Sequence, residues 1–226
     1  MKYKLVLFDA DGTLFDFDTA EREAFNKTFK QFGINEDLKR LHKEYEVINK
    51  AIWRDFEQKK ITSDNLRIER FERFFTKERL QLDPTFFSPL YLKHLSEGVH
   101  LLQGAKEIVS FLYKKTELAL ATNGLADVQN PRFADSDLAG YFQHIFISEE
   151  IGHPKPNPEF FEHIFNKLPH NKSAIIIGDS LASDIKGGND FGIDTCWFNP
   201  NKCINKSGII PTFEVNDLKD LKSLLI

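Results

Sequence analysis

Four short stretches of this chain hold residues whose types and spacing could do chemistry together. The first is Phe8-Asp9-Ala10-Asp11-Gly12-Thr13-Leu14, where two aspartates one residue apart follow an apolar run. Carboxylates this close repel one another, so the pair calls for a metal, a shared proton or a basic partner. Thr122-Asn123 follow a second apolar run, and Asp179 follows a third in Gly178-Asp179-Ser180, with Asp184 five residues on. Lys155 lies in His153-Pro154-Lys155-Pro156-Asn157-Pro158, where the prolines stiffen the loop and stop a helix from starting early. Together these groups form an inventory for phosphoryl transfer. A carboxylate can attack, and a divalent cation held by carboxylates offsets its repulsion from phosphate. A hydroxyl and an amide can bind phosphate oxygens, and a lysine can neutralise charge as it develops.

The elements that must bring these residues together are legible in the apolar runs. Leu5 to Phe8, Leu118 to Ala121, Ile145 to Ser148, Ser173 to Ile177 and Asp194 to Phe198 show little polar alternation. That is the pattern of strands buried on both faces, as in a parallel sheet covered by helices. Helices are expected over Gly104 to Lys115, Glu159 to Leu168 and Asp184 to Phe191, with a polar tail after the last strand. The fold class is therefore α/β, a Rossmann-like parallel sheet with helices on both faces. Ligands of such sheets bind at the carboxyl ends of the strands, where Asp9, Thr122 and Asp179 fall.

Between the first strand and the rest the period changes. Asp18-Thr19-Ala20-Glu21 has capping-box spacing, and Phe25, Phe29 and Phe32 recur at helical spacing until Gly33. Leu38, Leu41, Tyr45, Ile48 and Ile52 write a second helix, and Ile61-Thr62-Ser63-Asp64 opens a third with Phe71, Phe74 and Phe75 inside. Pro84 and Pro89 bracket a break before a last segment, Leu90 to Leu95. Residues 16–96 thus read as an inserted all-helical domain, and residues 1–15 with 97–226 as the α/β core. An insertion at the ligand-binding edge is well placed to act as a lid.

Composition narrows the function classes. Of 226 residues, 41% are hydrophobic and 28% charged, and the net charge of −4 makes no case for a nucleic-acid polymer or an anionic membrane as partner. No apolar run approaches the ~18 residues of a spanning helix, and Asp9 and Asp11 interrupt the start too soon for a signal peptide. Cys196 and Cys203 read as free thiols in a reducing cytoplasm, and seven scattered histidines give no zinc pattern. The expected state is a cytoplasmic monomer or weak homodimer, and the phosphoryl-transfer inventory points to a small phosphorylated substrate.

In this order Asp9-x-Asp11-Gly-Thr-Leu, Thr122-Asn123, Lys155 and Gly178-Asp179-x-x-x-x-Asp184 resemble the four motifs of the haloacid dehalogenase superfamily, with residues 16–96 as its type-one cap. The resemblance implies that Asp9 forms an aspartyl-phosphate, that Asp11 is the acid and base, and that Thr122, Asn123 and Lys155 hold the phosphoryl group. It further implies a Mg²⁺ site at Asp9, Asp11 (through its backbone carbonyl) and Asp179, with Asp184 behind it positioning metal waters or Lys155. Thr122-Asn123-Gly124-x-x-x-x-Gln129-x-x-Arg132, the run from Gly178 to Gly188, Asp194 to Pro200, Asn49-Lys50-x-x-Trp53 and Ile61-Thr62 are similar to the pyrimidine 5′-nucleotidase branch. That implies hydrolysis of pyrimidine nucleoside 5′-monophosphates such as UMP, dUMP and dTMP.

Several readings stay open at this level. Asn49 and Trp53 lie four apart on one helical face, so both can face a substrate, with Trp53 stacking on a base or packed in the core. Phe15, like Phe17, either lines the substrate site or packs at the domain exit. Pro131, between Gln129 and Arg132, is expected to break or shift the helix there, which leaves those two without a role. A sugar-phosphate phosphatase or mutase shares the core. A 2-haloacid dehalogenase normally lacks the second aspartate, and a receiver-like signalling module lacks the insert.

Overall fold

The computed structural model describes residues 1–170 and 173–226. It divides into two compact units, Asp18–Gly98 and Met1–Phe17 with Val99–Ile226. β1 (Leu5–Phe8) precedes the helical unit, whose elements are α1 (Phe17–Gln31), α2 (Leu38–Glu57), α3 (Ser63–Glu78) and α4 (Pro84–Ser96).

α1 starts two residues earlier than the capping-box spacing suggests, so Asp18 lies in its first turn, where a carboxylate meets the positive end of the helix dipole. Its end follows the expectation at Gly33. There φ is +80°, and the amides of Gly33 and Ile34 reach back to the carbonyls of Lys30 and Phe29. Thr62 caps α3 by accepting the Asn65 amide at 3.2 Å. The expected break at Pro84 and Pro89 is overturned: α4 runs unbroken through Pro89. Asp83 caps the helix, Pro84 occupies a first-turn position that needs no donor, and Pro89 removes a single internal bond. Burial of Phe87, Tyr91, Leu92 and Leu95 offsets that loss. The core of this unit is aromatic, with Phe25 on Phe29 at 4.3 Å, Phe71 on Phe87 at 4.8 Å and Tyr45 stacked on Phe71 at 5.4 Å.

The α/β unit continues with α5 (Ala105–Leu112), β2 (Glu117–Thr122), α6 (Ala126–Ala134), β3 (His144–Ile147), α7 (Ser148–Ile151), α8 (Pro158–Lys167) and β4 (Ala174–Gly178). A π-helical turn, Leu181–Ile185, leads into α9 (Lys186–Phe191), followed by β5 (Asp194–Phe198), β6 (Phe213–Val215) and α10 (Leu221–Leu225). The strands form one parallel sheet in the order β3-β2-β1-β4-β5-β6. Val6, Phe8, Leu120 and Ile177 face one apolar layer with Ile108 and Leu221, while Leu5, Leu7, Ala119 and Ile176 face another with Phe160 and Ile164. Both faces are therefore buried, which is why the runs lack alternation.

Three expectations for this unit need correction. The tail is not merely polar. It adds β6 at the sheet edge and buries Leu218, Leu221 and Leu225. Helical structure before β5 starts at Leu181 rather than Asp184. α6 runs through Pro131, because a proline six residues into a nine-residue helix removes only one internal bond. Among the described residues no helix is long and apolar enough to cross a membrane.

Candidate active site

The sheet order reverses direction at β1, so crossovers leave it on both sides and open a crevice between the carboxyl ends of β1 and β4. Register fixes what meets there. Phe8 pairs with Leu120 on one side and Ile177 on the other, so Asp9 emerges beside the ends of both neighbouring strands. The Asp9 amide donates to the Ile177 carbonyl at 2.9 Å. Carboxylate oxygens of Asp9, Asp179 and Asp184 lie within 4.8 Å of one another, the one group of this kind among the described residues.

Lys155 reaches into this cluster from the loop after α7. Its side chain is 1% exposed, and Nζ donates to Asp9 Oδ1 at 2.7 Å, Asp184 Oδ1 at 2.6 Å and the Ala121 carbonyl at 2.5 Å. Burial favours the neutral amine, but the Asp184 and Asp9 carboxylates outweigh it and hold the ammonium charged. Asn123 sets the lysine's backbone: its Nδ2 donates to the Lys155 carbonyl at 2.9 Å and its Oδ1 accepts the Lys155 amide at 2.8 Å. Thr122 is buried and accepts the Gly124 amide on Oγ1 at 3.0 Å, leaving its hydroxyl proton for another acceptor.

The carboxylates are unequal. Burial holds Asp9 well above the usual carboxylate range; Lys155 works against that, while Asp184 and Asp179 add repulsion. Asp179 is pushed up to about 7, because surrounding protein weakens its hydration even though the residue keeps an open side, and Asp184 repels a second charge. Asp184 uses both oxygens, one for Lys155 and one for the Ser180 amide at 3.0 Å. Its side chain lies against Gly178, where a Cβ would sit 2.2 Å from Oδ2. Gly12, at φ +80°, likewise admits Asp179, whose Oδ2 would lie 2.6 Å from a Cβ. Hard oxygen donors crowded against their own repulsion suit a cation such as Mg²⁺.

Sequence reasoning singled out Gln129 and Arg132 but gave them no partner, and the structure sets both on Asp11. Asp11 Oδ1 accepts Arg132 Nη1 at 2.5 Å, and its Oδ2 accepts Gln129 Nε2 at 2.6 Å. The two donors lie three apart on α6, a spacing that signals one helix face once the helix is known to continue past Pro131. Trp197 Nε1 donates to the Asp179 carbonyl at 2.8 Å.

Other expected residues lie elsewhere. Phe15 is fully buried, its ring 4.7 Å from the Arg132 guanidinium and edge-on to Phe133, so it packs the core rather than lining a substrate site. Asn49 is buried inside the helical unit and donates to Glu21 Oε1 at 2.7 Å, so its amide is turned inward. Trp53 is half-buried against Phe56.

The model of the haloacid dehalogenase-like hydrolases matches residues 6–198. Pyrimidine 5′-nucleotidase PynA of Streptococcus pneumoniae (strain ATCC BAA-255 / R6) is 38% identical over 228 residues, covering 100% of this chain and 96% of PynA. Pyrimidine 5′-nucleotidase YjjG of Escherichia coli (strain K12) is 32% identical over 230 residues, covering 100% and 99%. The magnesium-bound crystal structure of the HAD-hydrolase YfnB from Bacillus subtilis aligns with a TM-score of 0.93 at 36% identity, over 100% of this chain and 99% of that one. The match takes in all four motifs from Asp9 to Asp184 and ends with β5. The chain belongs to the haloacid dehalogenase-like hydrolases.

Proposed function

We propose that this chain is a Mg²⁺-dependent phosphatase that hydrolyses phosphomonoesters through an aspartyl-phosphate, with pyrimidine nucleoside 5′-monophosphates as its substrates. The observation that carries the reading is the convergence of Asp9, Asp179 and Asp184 within 4.8 Å, bridged by Lys155 at the end of a parallel sheet. The substrate class is supported by the resemblance to PynA and YjjG over 96% and 99% of their lengths.

In the first step a carboxylate oxygen of Asp9 bonds to phosphorus and the bond to the leaving oxygen breaks. Asp11 gives that oxygen a proton, so the alcohol departs neutral. In the second step water attacks the same phosphorus and Asp11 takes back a proton. The bond to Asp9 then breaks, freeing inorganic phosphate. Thr122 donates to a phosphoryl oxygen. Lys155 works against the burial that disfavours charge on Asp9, and its contacts to Asp184 and Asn123 fix it there. Asp9, Asp179 and the Asp11 carbonyl would hold Mg²⁺, with Asp184 as support. The ion supplies positive charge that offsets the repulsion between carboxylate and phosphate.

We assign the helical unit the role of a cap from its place in the sequence. Trp53 is the residue proposed to stack on the base, and Asn49, engaged by Glu21, to support it.

Phosphate release from a panel of nucleoside monophosphates and sugar phosphates, with Mg²⁺ and with EDTA, tests the proposal. Turnover is expected to favour UMP, dUMP and dTMP, to vanish with EDTA and to return with Mg²⁺. Faster turnover of sugar phosphates would overturn the substrate class. No release from any member with Mg²⁺ present would overturn the phosphatase reading itself.

A further inference from the structure

Asp11 is gripped on both oxygens. Gln129 and Arg132, on one face of α6, donate to Oδ2 at 2.6 Å and Oδ1 at 2.5 Å. We propose that these two are positioning residues for proton transfer by Asp11. They fix the plane of its carboxyl group, leaving a lone pair on each oxygen to exchange a proton with the reacting oxygen. The inference rests on the phosphatase reading and adds to it the parts that aim the acid and base.

The surroundings of the clamp hold its two donors in place. Arg132 is fully buried, and its guanidinium lies over the face of Phe15. The Phe15 carbonyl accepts the Gly12 amide at 3.0 Å, so the turn that carries Asp11 and the ring that supports Arg132 are tied together. Gln129 fits only because residue 124 is glycine: a Cβ there would lie 2.1 Å from Nε2. Glu149 Oε2 accepts the Ala126 amide at 2.8 Å and so pins the start of α6. The Asp11 side chain, by contrast, is 23% exposed. A carboxylate so open samples several rotamers unless donors hold it, and charge-assisted bonds from fixed donors do that.

A role in aiming Asp11 separates from a role in stability through the leaving group. Release of p-nitrophenolate needs little help from an acid, whereas a nucleoside 5′-alkoxide needs a proton. Hydrolysis of the phosphoenzyme needs a base for either substrate. The experiment compares Gln129→Ala and Arg132→Lys with the unaltered protein and Asp11→Asn, using p-nitrophenyl phosphate and UMP at saturating Mg²⁺. Rapid quench gives first-turnover rates and the amount of phosphoenzyme.

The clamp variants are expected to lower first-turnover cleavage of UMP by roughly 10–100-fold, a fraction of what general acid catalysis contributes. Their first-turnover release of p-nitrophenol and their KM values should stay within about threefold. Phosphoenzyme should accumulate, as in Asp11→Asn. Equal losses for both leaving groups, a change confined to KM, or no accumulation would overturn the proposal. Should Arg132→Lys fail to fold, Gln129→Ala decides the test, because it keeps the Arg132–Asp11 ion pair. If Asp11→Asn itself shows no dependence on the leaving group, the acid–base reading of Asp11 falls. If Asp11→Asn shows it and the clamp variants do not, only the clamp falls.

Discussion

Lys155 Nζ lies 2.7 Å from Asp9 Oδ1, an ion pair in which the lysine side chain is 1% exposed and the aspartate side chain 11%. A second carboxylate, Asp184, sits 2.6 Å from the same nitrogen. Replacing the lysine by an apolar side chain leaves two buried carboxylates without their counter-charge. Breaking a buried pair from one side destabilises by about 3–5 kcal/mol. Lys155→Met is therefore expected to lose that much in urea unfolding, to recover part of it in saturating Mg²⁺, and to lose turnover by at least ~10²-fold. A variant as stable as the parent would mean that Lys155 does not balance these charges.

Gly12 is the second sensitive point. Its φ of +80° is strained for any residue with a side chain, and a Cβ would press on Asp179 Oδ2 at 2.6 Å. Gly12→Ala is expected to cost about 1–2 kcal/mol of stability. It should also raise the Mg²⁺ concentration for half-maximal activity by roughly 10–100-fold, as displacement of a supporting contact does. An unchanged Mg²⁺ requirement would show that Asp179 does not hold the ion.

The two cysteines give a prediction independent of catalysis. Both are free; Cys196 is buried in β5 and Cys203 is exposed. Burial, with some repulsion from Glu214, pushes the Cys196 thiol up to about 12, so it remains neutral throughout the neutral and mildly alkaline range. A thiol reagent at pH 8 should label one cysteine, Cys203, in the native protein and both after unfolding. Equal native labelling of Cys196 would contradict its place in the sheet.

Much of the α/β unit was readable because its strands are buried on both faces and therefore written as unbroken apolar runs ending in chemistry-bearing residues. The group around Lys155 followed from those ends, since parallel strands bring their carboxyl termini to one edge. What escaped did so for local reasons. Pro131 and Pro89 read as breaks, yet a helix with buried partners tolerates the loss of one bond, and only the intact α6 brings Gln129 and Arg132 to Asp11. β6 has three residues, too few for a pattern, and is stabilised by pairing with β5. Phe15 and Asn49 sit where a substrate contact was conceivable, but spacing does not say which way a side chain turns. Phe15 went into the core and Asn49 toward Glu21.

The most direct test of the central claim is mass spectrometry of Asp11→Asn mixed with p-nitrophenyl phosphate and Mg²⁺. Loss of the base should slow hydrolysis of the covalent intermediate, so the peptide that contains Asp9 is predicted to gain the mass of one phosphoryl group. Adding Asp9→Asn should remove the adduct and lower turnover by at least ~10³-fold. No adduct at any time, or an adduct on a peptide without Asp9, would contradict the assignment of Asp9 as the nucleophile.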